Sequence, residues 1–245
     1  MTHSVQQKHF YGTHDHTQLR PLRNSYYAHK IVTRLASELG MRREHRVLEI
    51  GAGFGRFTLP LLGFCSSVVA VDVSQMGLDS LARRRDARGI PVERCQLHRA
   101  DANELSREDF LERFDFILGF FFLHRLSDFT RTIARLSPLL GPQGRMAFLE
   151  PNPLSPLSVP QVAFCQDLTW REERGIFGLS RRDVETAFRG ASLLPQRTKR
   201  FGFFPPQVLN RFPSARRVES RLENVRALNR LLPLLLLHAR VRDTG

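Results

Sequence analysis

Residues 47–62 read VLEIGAGFGRFTLPLL. An apolar run ends at Glu49 and Ile50, glycines alternate at Gly51, Gly53 and Gly55, and apolar residues then return at helical spacing. A glycine-rich turn between a strand and a helix lets backbone N–H groups approach a ligand at the helix N-terminus, so the stretch predicts a nucleotide-bearing ligand on an α/β sheet. The turn departs from the dinucleotide fingerprint G-x-G-x-x-G, because Arg56 stands at the sixth position, where close helix–strand packing wants glycine. It also lacks the G-K-[ST] of a P-loop.

On either side of this turn the chain alternates strands with helices. Helical spacing of Ile31, Leu35 and Leu39 predicts a helix over Asn24 to Leu39, stopped by Gly40. Strands are predicted at Arg46 to Ile50, Ser67 to Asp72, Val92 to His98, Asp115 to Phe121 and Arg145 to Glu150. Helices are predicted at Gly55 to Phe64, weakened by Pro60; from the Ser74 cap to near Gly89; at Ser106 to Phe114; and at Ser127 to Leu136. Such alternation implies a parallel sheet covered on both faces. After Glu150 the rhythm breaks in the proline-rich PNPLSPLSVP. A helix over Ser180 to Gly190 and strands over Leu193 to Phe201 and Leu232 to Val241 follow. Between those strands, Val218, Leu222, Val225 and Leu228 form an apolar stripe within Ser214 to Arg230, predicted to pack on the body.

Two carboxylates narrow the ligand. Asp72 ends the second strand, 21 residues after Gly51, where it can accept from ribose hydroxyls. Asp101 follows the third strand in HRADANEL, placed to accept from an exocyclic amine such as that of adenine. GFFFLHRLSD then follows the fourth strand.

With these residues in order, the chain resembles the class I S-adenosylmethionine-dependent methyltransferases, across about residues 24–150. LEIGAGFGRFT resembles that family's first motif, VVAVDVSQMGLDSLARR its second, RADANEL its third and FILGFFFLHRL its strand-4 motif. The resemblance implies a Rossmann-like α/β fold, with a seven-stranded, mostly parallel sheet, helices on both faces and a final antiparallel strand supplied by LLPLLLLHARV. It implies S-adenosyl-L-methionine as cofactor. Glu49, Gly51, Gly53 and Gly55 would face its methionine end, Asp72 its ribose, and Val73 and Met76 the adenine, whose edge Asp101 and Ala102 would read. Gly119 would lie near the reacting methyl group. The implied division is an N-terminal substrate-side segment and helix over 1–40. A methyltransferase domain over 41–245 follows, with substrate-covering insertions at about 151–178 and 200–230.

GFFFLHRL lacks the proline of the [DNS]-P-P-[YF] motif carried by base N-methyltransferases, and so resembles the small-molecule branch. Three aromatic-bearing stretches can reach the acceptor pocket: FYGTHDHTQLRPLRNSYY, QVAFCQDLTW and KRFGFFPPQVLNRF. With 19 Phe and 3 Tyr, their walls are expected to be apolar, suiting an apolar or aromatic acceptor. O-methylation in secondary-metabolite, lipid or glycan metabolism is the expected chemistry. His124, just past strand 4, is the expected general base, with Glu150 and Asn152 as second choices; Asn152 can instead shape the turn, and His14, Asp15 and His16 can fold over the site. No metal site is expected, since Gly119 and a Glu150/Asn152 pair split by Pro151 make no acidic oxygen cluster.

The formal charge is +13, and 16 basic against 7 acidic residues lie from Arg171 onward. Such an excess fits nucleic acid, an anionic membrane or an acidic substrate, or is a compositional bias with no partner. Alternative readings are therefore an RNA methyltransferase using the basic C-terminal region, a non-catalytic S-adenosylmethionine-binding protein, and peripheral attachment to anionic membrane through the Arg face of 214–230. Cys65, Cys95 and Cys165 form neither a disulfide framework nor a zinc motif. The start THSVQQKHF lacks a signal-peptide core and LLPLLLL is too short to span a bilayer, so a reduced, cytoplasmic protein is expected.

Overall fold

The computed structural model describes residues 26–157 and 178–242. His14, Asp15 and His16, and the QVAFCQDLTW stretch with Cys165, lie outside the described residues. In chain order the elements are α1 (Tyr26–Leu39), β1 (Arg46–Ile50), α2 (Thr58–Leu61), β2 (Ser67–Asp72), α3 (Gln75–Asp86), β3 (Cys95–Arg99) and β4 (Phe114–Phe120). Then come α4 (Phe129–Leu136), β5 (Leu140–Pro151), α5 (Arg181–Gly190), β6 (Leu193–Pro195), β7 (Lys199–Phe201), α6 (Pro206–Arg211), α7 (Pro213–Leu222) and β8 (Leu234–Val241).

The strands join in the order β3-β2-β1-β4-β5-β8-β6, with β7 also paired to β8. The first five are parallel, and β8 runs antiparallel to β5, β6 and β7. Strand order reverses between β1 and β4, so the chain leaves their carboxyl ends in opposite directions and opens a crevice there. Both faces are covered, as the near-continuous apolar strands require. One core packs α1, α2, α3 and α6 through Leu35, Leu61, Leu81 and Leu209. The other packs α4 and α5 through Ile133, Leu136, Val184 and Phe188. Cys65 and Cys95 are free and buried, and burial pushes their thiols up to about 12 and about 11.

Several elements differ from expectation, each for a local reason. The predicted Gly55 to Phe64 helix shrinks to α2, because Gly55 has φ +74° and Pro60 removes a donor. Ser106 to Phe114 is a single 3₁₀ turn, Arg107–Asp109: a capping box closes it, and buried Phe114 starts β4 instead. Val92 to His98 begins as a 3₁₀ turn after Pro91, so β3 starts at Cys95. The single strand expected over Leu193 to Phe201 is two, β6 and β7, and the Gln196 amide between them bonds to the His238 carbonyl.

The apolar stripe of 214–230 is the largest correction. α7 ends at Leu222, and a 3₁₀ segment covers Arg226–Leu231. Val218 and Val225 are 45% and 44% exposed, whereas Glu219 is fully buried. Glu219 accepts from Lys30 Nζ of α1 and from the Phe203 and Phe204 amides, so satisfied charge rather than the stripe sets this helix's rotation.

Candidate functional site

The predicted site residues gather at one edge of the sheet, the carboxyl ends of β1 to β5. After β1 the turn doubles back, with φ +73° at Gly51, +50° at Gly53 and +74° at Gly55. A Cβ on Gly55 would sit 2.2 Å from Leu81 Cδ1 and one on Gly51 2.7 Å from the Phe122 ring, whereas nothing lies within 4 Å of one on Gly53. Gly55 and Gly51 are therefore packing positions, and Gly53 faces open space.

Asp72 holds this turn from β2. Its Oδ2 accepts a 2.7 Å hydrogen bond from the Gly53 amide, and its Oδ1 one of 2.8 Å from the Ser74 amide. Ser74 in turn caps α3 by accepting from Gly77 N–H. Burial pushes the Asp72 carboxyl up, against the pull of these amides. A carboxylate accepts about four hydrogen bonds, so capacity remains for ligand hydroxyls. Val73 and Met76 are half-buried just beyond it. The Ala100 amide bonds to the Asp72 carbonyl, bringing the post-β3 loop alongside. There Asp101 Oδ1 accepts from the Asn103 amide and side chain, Asn103 accepts from Thr132 Oγ1, and Ala102 is buried.

Two ionisable side chains flank the turn with polar atoms left unpartnered. Glu49 is 1% exposed and its Oε2 has no partner. Burial pushes its carboxyl up to about 8, with Asp72 adding; the Thr58 hydroxyl nearby eases this, although its Oγ1 forms no hydrogen bond. The Arg56 guanidinium lies over the Tyr27 and Phe57 rings at 5.3 and 5.4 Å, with Nε and Nη2 buried and unpartnered. In the sequence Arg56 stands out only as a misfit to the dinucleotide pattern. A charged residue inside an otherwise apolar turn was the available signal.

At the end of β4, a Cβ on Gly119 would meet the Phe148 ring at 2.7 Å. Phe121 follows with φ +54°, a left-handed conformation costly for an aromatic residue, and its amide bonds to Leu149 O. That kink aims the next amides at β5. Glu150 Oε1 accepts from Phe122 N–H at 2.9 Å and Leu123 N–H at 2.7 Å, and its Oε2 lies 2.5 Å from His124 Nδ1. Both side chains are 0% exposed, and Arg125 Nε approaches His124 Nε2 at 3.4 Å. The two predicted catalytic residues thus form one buried pair. Asn152 belongs to a turn instead, bonding to the Pro233 and Leu232 carbonyls. Aromatic rings line the same edge: Phe57 stacks on Phe120 at 4.3 Å, and Phe121 lies 6.0 Å from Phe57.

Among the described residues, no group of three or more His, Cys, Asp or Glu side chains is arranged to hold a metal ion, and no helix is long and apolar enough to cross a membrane.

Comparison with known proteins bears on the domain and the fold. Residues 48–146 match the family model described as a methyltransferase domain. An uncharacterized methyltransferase of Schizosaccharomyces pombe is 28% identical over 103 residues, covering 41% of this chain and 36% of its own length. The chain therefore matches about a third of that relative. Among solved structures, magnesium protoporphyrin IX methyltransferase from Synechocystis with bound S-adenosylhomocysteine superposes with a TM-score of 0.62 at 11% identity, covering 98% of this chain and 100% of that one. The N-methyltransferase NodS from Bradyrhizobium japonicum, in complex with S-adenosylhomocysteine, gives 0.59 at 18%, covering 98% and 99%. The YcgJ protein of Bacillus subtilis gives 0.61 at 17%, covering 87% and 99%. At these identities the structural likeness speaks for the fold.

Proposed function

We propose that this chain, whose residues 48–146 match a methyltransferase domain, is an S-adenosylmethionine-dependent methyltransferase that methylates a small apolar or aromatic acceptor at oxygen. One observation carries the cofactor's placement: the buried, unpaired Glu49 carboxyl and Arg56 guanidinium beside an open glycine turn. A free amino-acid end presents one ammonium and one carboxylate, the complement of that pair. Glu49 would take the first, Arg56 the second, Asp72 the ribose, and Asp101 with Ala102 the adenine edge. Val73 and Met76 would flank the ring.

When bound, the cofactor supplies a sulfonium-activated methyl group for in-line displacement. The protein's main task is then to align the acceptor and exclude water. Phe120, Phe121 and Phe122 supply the apolar wall beside Gly119, which supports an apolar acceptor over a charged one. Glu150 fixes the His124 ring by accepting from Nδ1–H, which leaves Nε2 as the basic nitrogen. An acceptor hydroxyl replacing the 3.4 Å Arg125 contact would give up its proton there. Two of the structural neighbours are named for an N-methyl transfer and for magnesium protoporphyrin IX, so nitrogen and porphyrin acceptors belong in the screen.

The test is transfer of labelled methyl from S-adenosylmethionine to a panel of phenols, lipids, glycans and porphyrins, with RNA included. A methylated small molecule, formed about 10²–10⁴-fold more slowly by His124→Ala, is the expected result. Labelling of RNA alone contradicts the acceptor class. Binding of cofactor without transfer to any acceptor contradicts the enzymatic reading.

A further inference from the structure

We propose that the outward face of residues 211–231 docks this protein on an anionic membrane surface. The segment holds six arginines, at 211, 216, 217, 221, 226 and 230, and two acids, Glu219 and Glu223. Both acids turn inward. Glu219 accepts from Lys30 and from the Phe203 and Phe204 amides. Glu223 accepts from Lys30 Nζ and the Gly202 amide, each at 2.8 Å. Arg216 is also used internally, lying 4.0 Å over the Tyr26 ring and donating to the Leu209 and Asn210 carbonyls.

What faces out is basic and apolar together. Arg211, Arg217, Arg221, Arg226 and Arg230 are exposed with no acid of the segment among them. Interleaved with them, Phe212, Val218, Val225 and Leu231 are 50%, 45%, 44% and 38% exposed. Leu154, 81% exposed, adjoins this face, since the neighbouring Ser155 hydroxyl donates to the Leu231 carbonyl. A solvated segment turns its charges out, yet this one turns both acids in while Val218 and Val225 face out and Leu222 and Leu228 are half-buried. Exposed aliphatic side chains beside unopposed guanidiniums match the headgroup boundary of an anionic bilayer, where the former insert and the latter meet phosphates. Nucleic acid would engage the arginines but gives the aliphatic side chains nothing to enter. The face is joined to the site edge, because Asn152, two residues past Glu150, bonds to the Leu232 carbonyl. The inference needs only this face and is independent of the acceptor's identity.

Co-sedimentation of the full chain with vesicles of phosphatidylcholine alone, and of phosphatidylcholine with about one third phosphatidylglycerol, tests it. Binding is expected to the anionic vesicles, weakened at least about tenfold by Arg217→Glu with Arg221→Glu. Val218→Ser with Val225→Ser, which leaves the charge untouched, is expected to weaken it as well, with melting temperature unchanged in both variants. Equal binding to both vesicles, or binding to neither, overturns the proposal. So does loss in the charge variant alone together with displacement of the vesicles by mixed-sequence RNA, which would make the face a nucleic-acid surface.

Discussion

The Gly53 amide donates a 2.7 Å hydrogen bond to the Asp72 carboxylate, so the open glycine of the β1 turn is held by the residue that ends β2. The bond ties turn geometry to the carboxylate proposed to hold the ligand's ribose. Asp72→Ala removes the acceptor of two partly buried amides, Gly53 and Ser74, and is expected to cost about 2–3 kcal/mol in urea unfolding. Asp72→Asn keeps one acceptor oxygen and is expected to retain most of that stability.

The glycines of the turn divide into crowded and open positions. Gly55→Ala puts a Cβ into Leu81 at a left-handed φ, and is expected to destabilise the protein by about 2–4 kcal/mol. Gly53→Ala meets no neighbour within 4 Å, so its expected cost is backbone strain alone, about 1 kcal/mol. Its effect should fall on cofactor affinity, where the Cβ enters the open side. Urea midpoints and ligand titration on the same two variants distinguish these outcomes.

Glu49 gives stability a pH dependence of definite sign. Burial raises its carboxyl from the ordinary 4.5 to about 8, so between those values the folded state keeps a proton that the unfolded state has released. Stability contributed by this group is complete below about 4.5 and falls as pH rises through about 8. Glu49→Gln, which cannot ionise, is expected to flatten the profile and to exceed wild type by about 4 kcal/mol near the upper end. Cofactor affinity should run the other way, rising with pH toward about 8 if an ammonium meets this carboxylate, with proton release seen calorimetrically in buffers of different ionisation enthalpy. Affinity unchanged with pH would remove Glu49 from the methionine end.

Ser192 offers a cheaper check on the backbone. It sits just past α5 with φ +59° and is exposed. Ser192→Gly is expected to stabilise the protein by about 0.5–1 kcal/mol in thermal unfolding, since glycine adopts that conformation without a Cβ penalty.

Lys30 and Glu219 bind the outer helix to the body. Glu219→Ala leaves the Phe203 and Phe204 amides without their acceptor and Lys30 with Glu223 as its remaining carboxylate, and is expected to cost about 3 kcal/mol. Amide exchange should accelerate first at Phe203 and Phe204, because those groups lose their partner directly.

The elements legible in the sequence were those set by local chemistry. β1 and β2 lie at the predicted residues, and Ser74 caps α3, because continuous apolar runs and a capping hydroxyl act within a few positions. The Gly51, Gly53 and Gly55 turn, Asp72 and the His124–Glu150 neighbourhood were likewise marked by residue type and place. What was hidden depends on partners far along the chain. Nothing local to Val218 shows that Lys30, 189 residues from Glu219, turns the acid inward. Nor does the spacing in VLEIGAGFGRF show that the Arg56 guanidinium lies over the Tyr27 and Phe57 rings with Nε and Nη2 unpartnered. β6 and β7 separate because both pair with β8, a choice made by the last strand.

The most direct measurement is calorimetric titration of S-adenosylhomocysteine into wild type and Asp72→Asn. Micromolar binding by wild type, weakened about ten- to a hundredfold in the variant as a lost charged hydrogen bond demands, is the predicted result. Wild-type protein that takes up no ligand, or a variant that binds equally well, would contradict a cofactor site built on the β1 turn and Asp72.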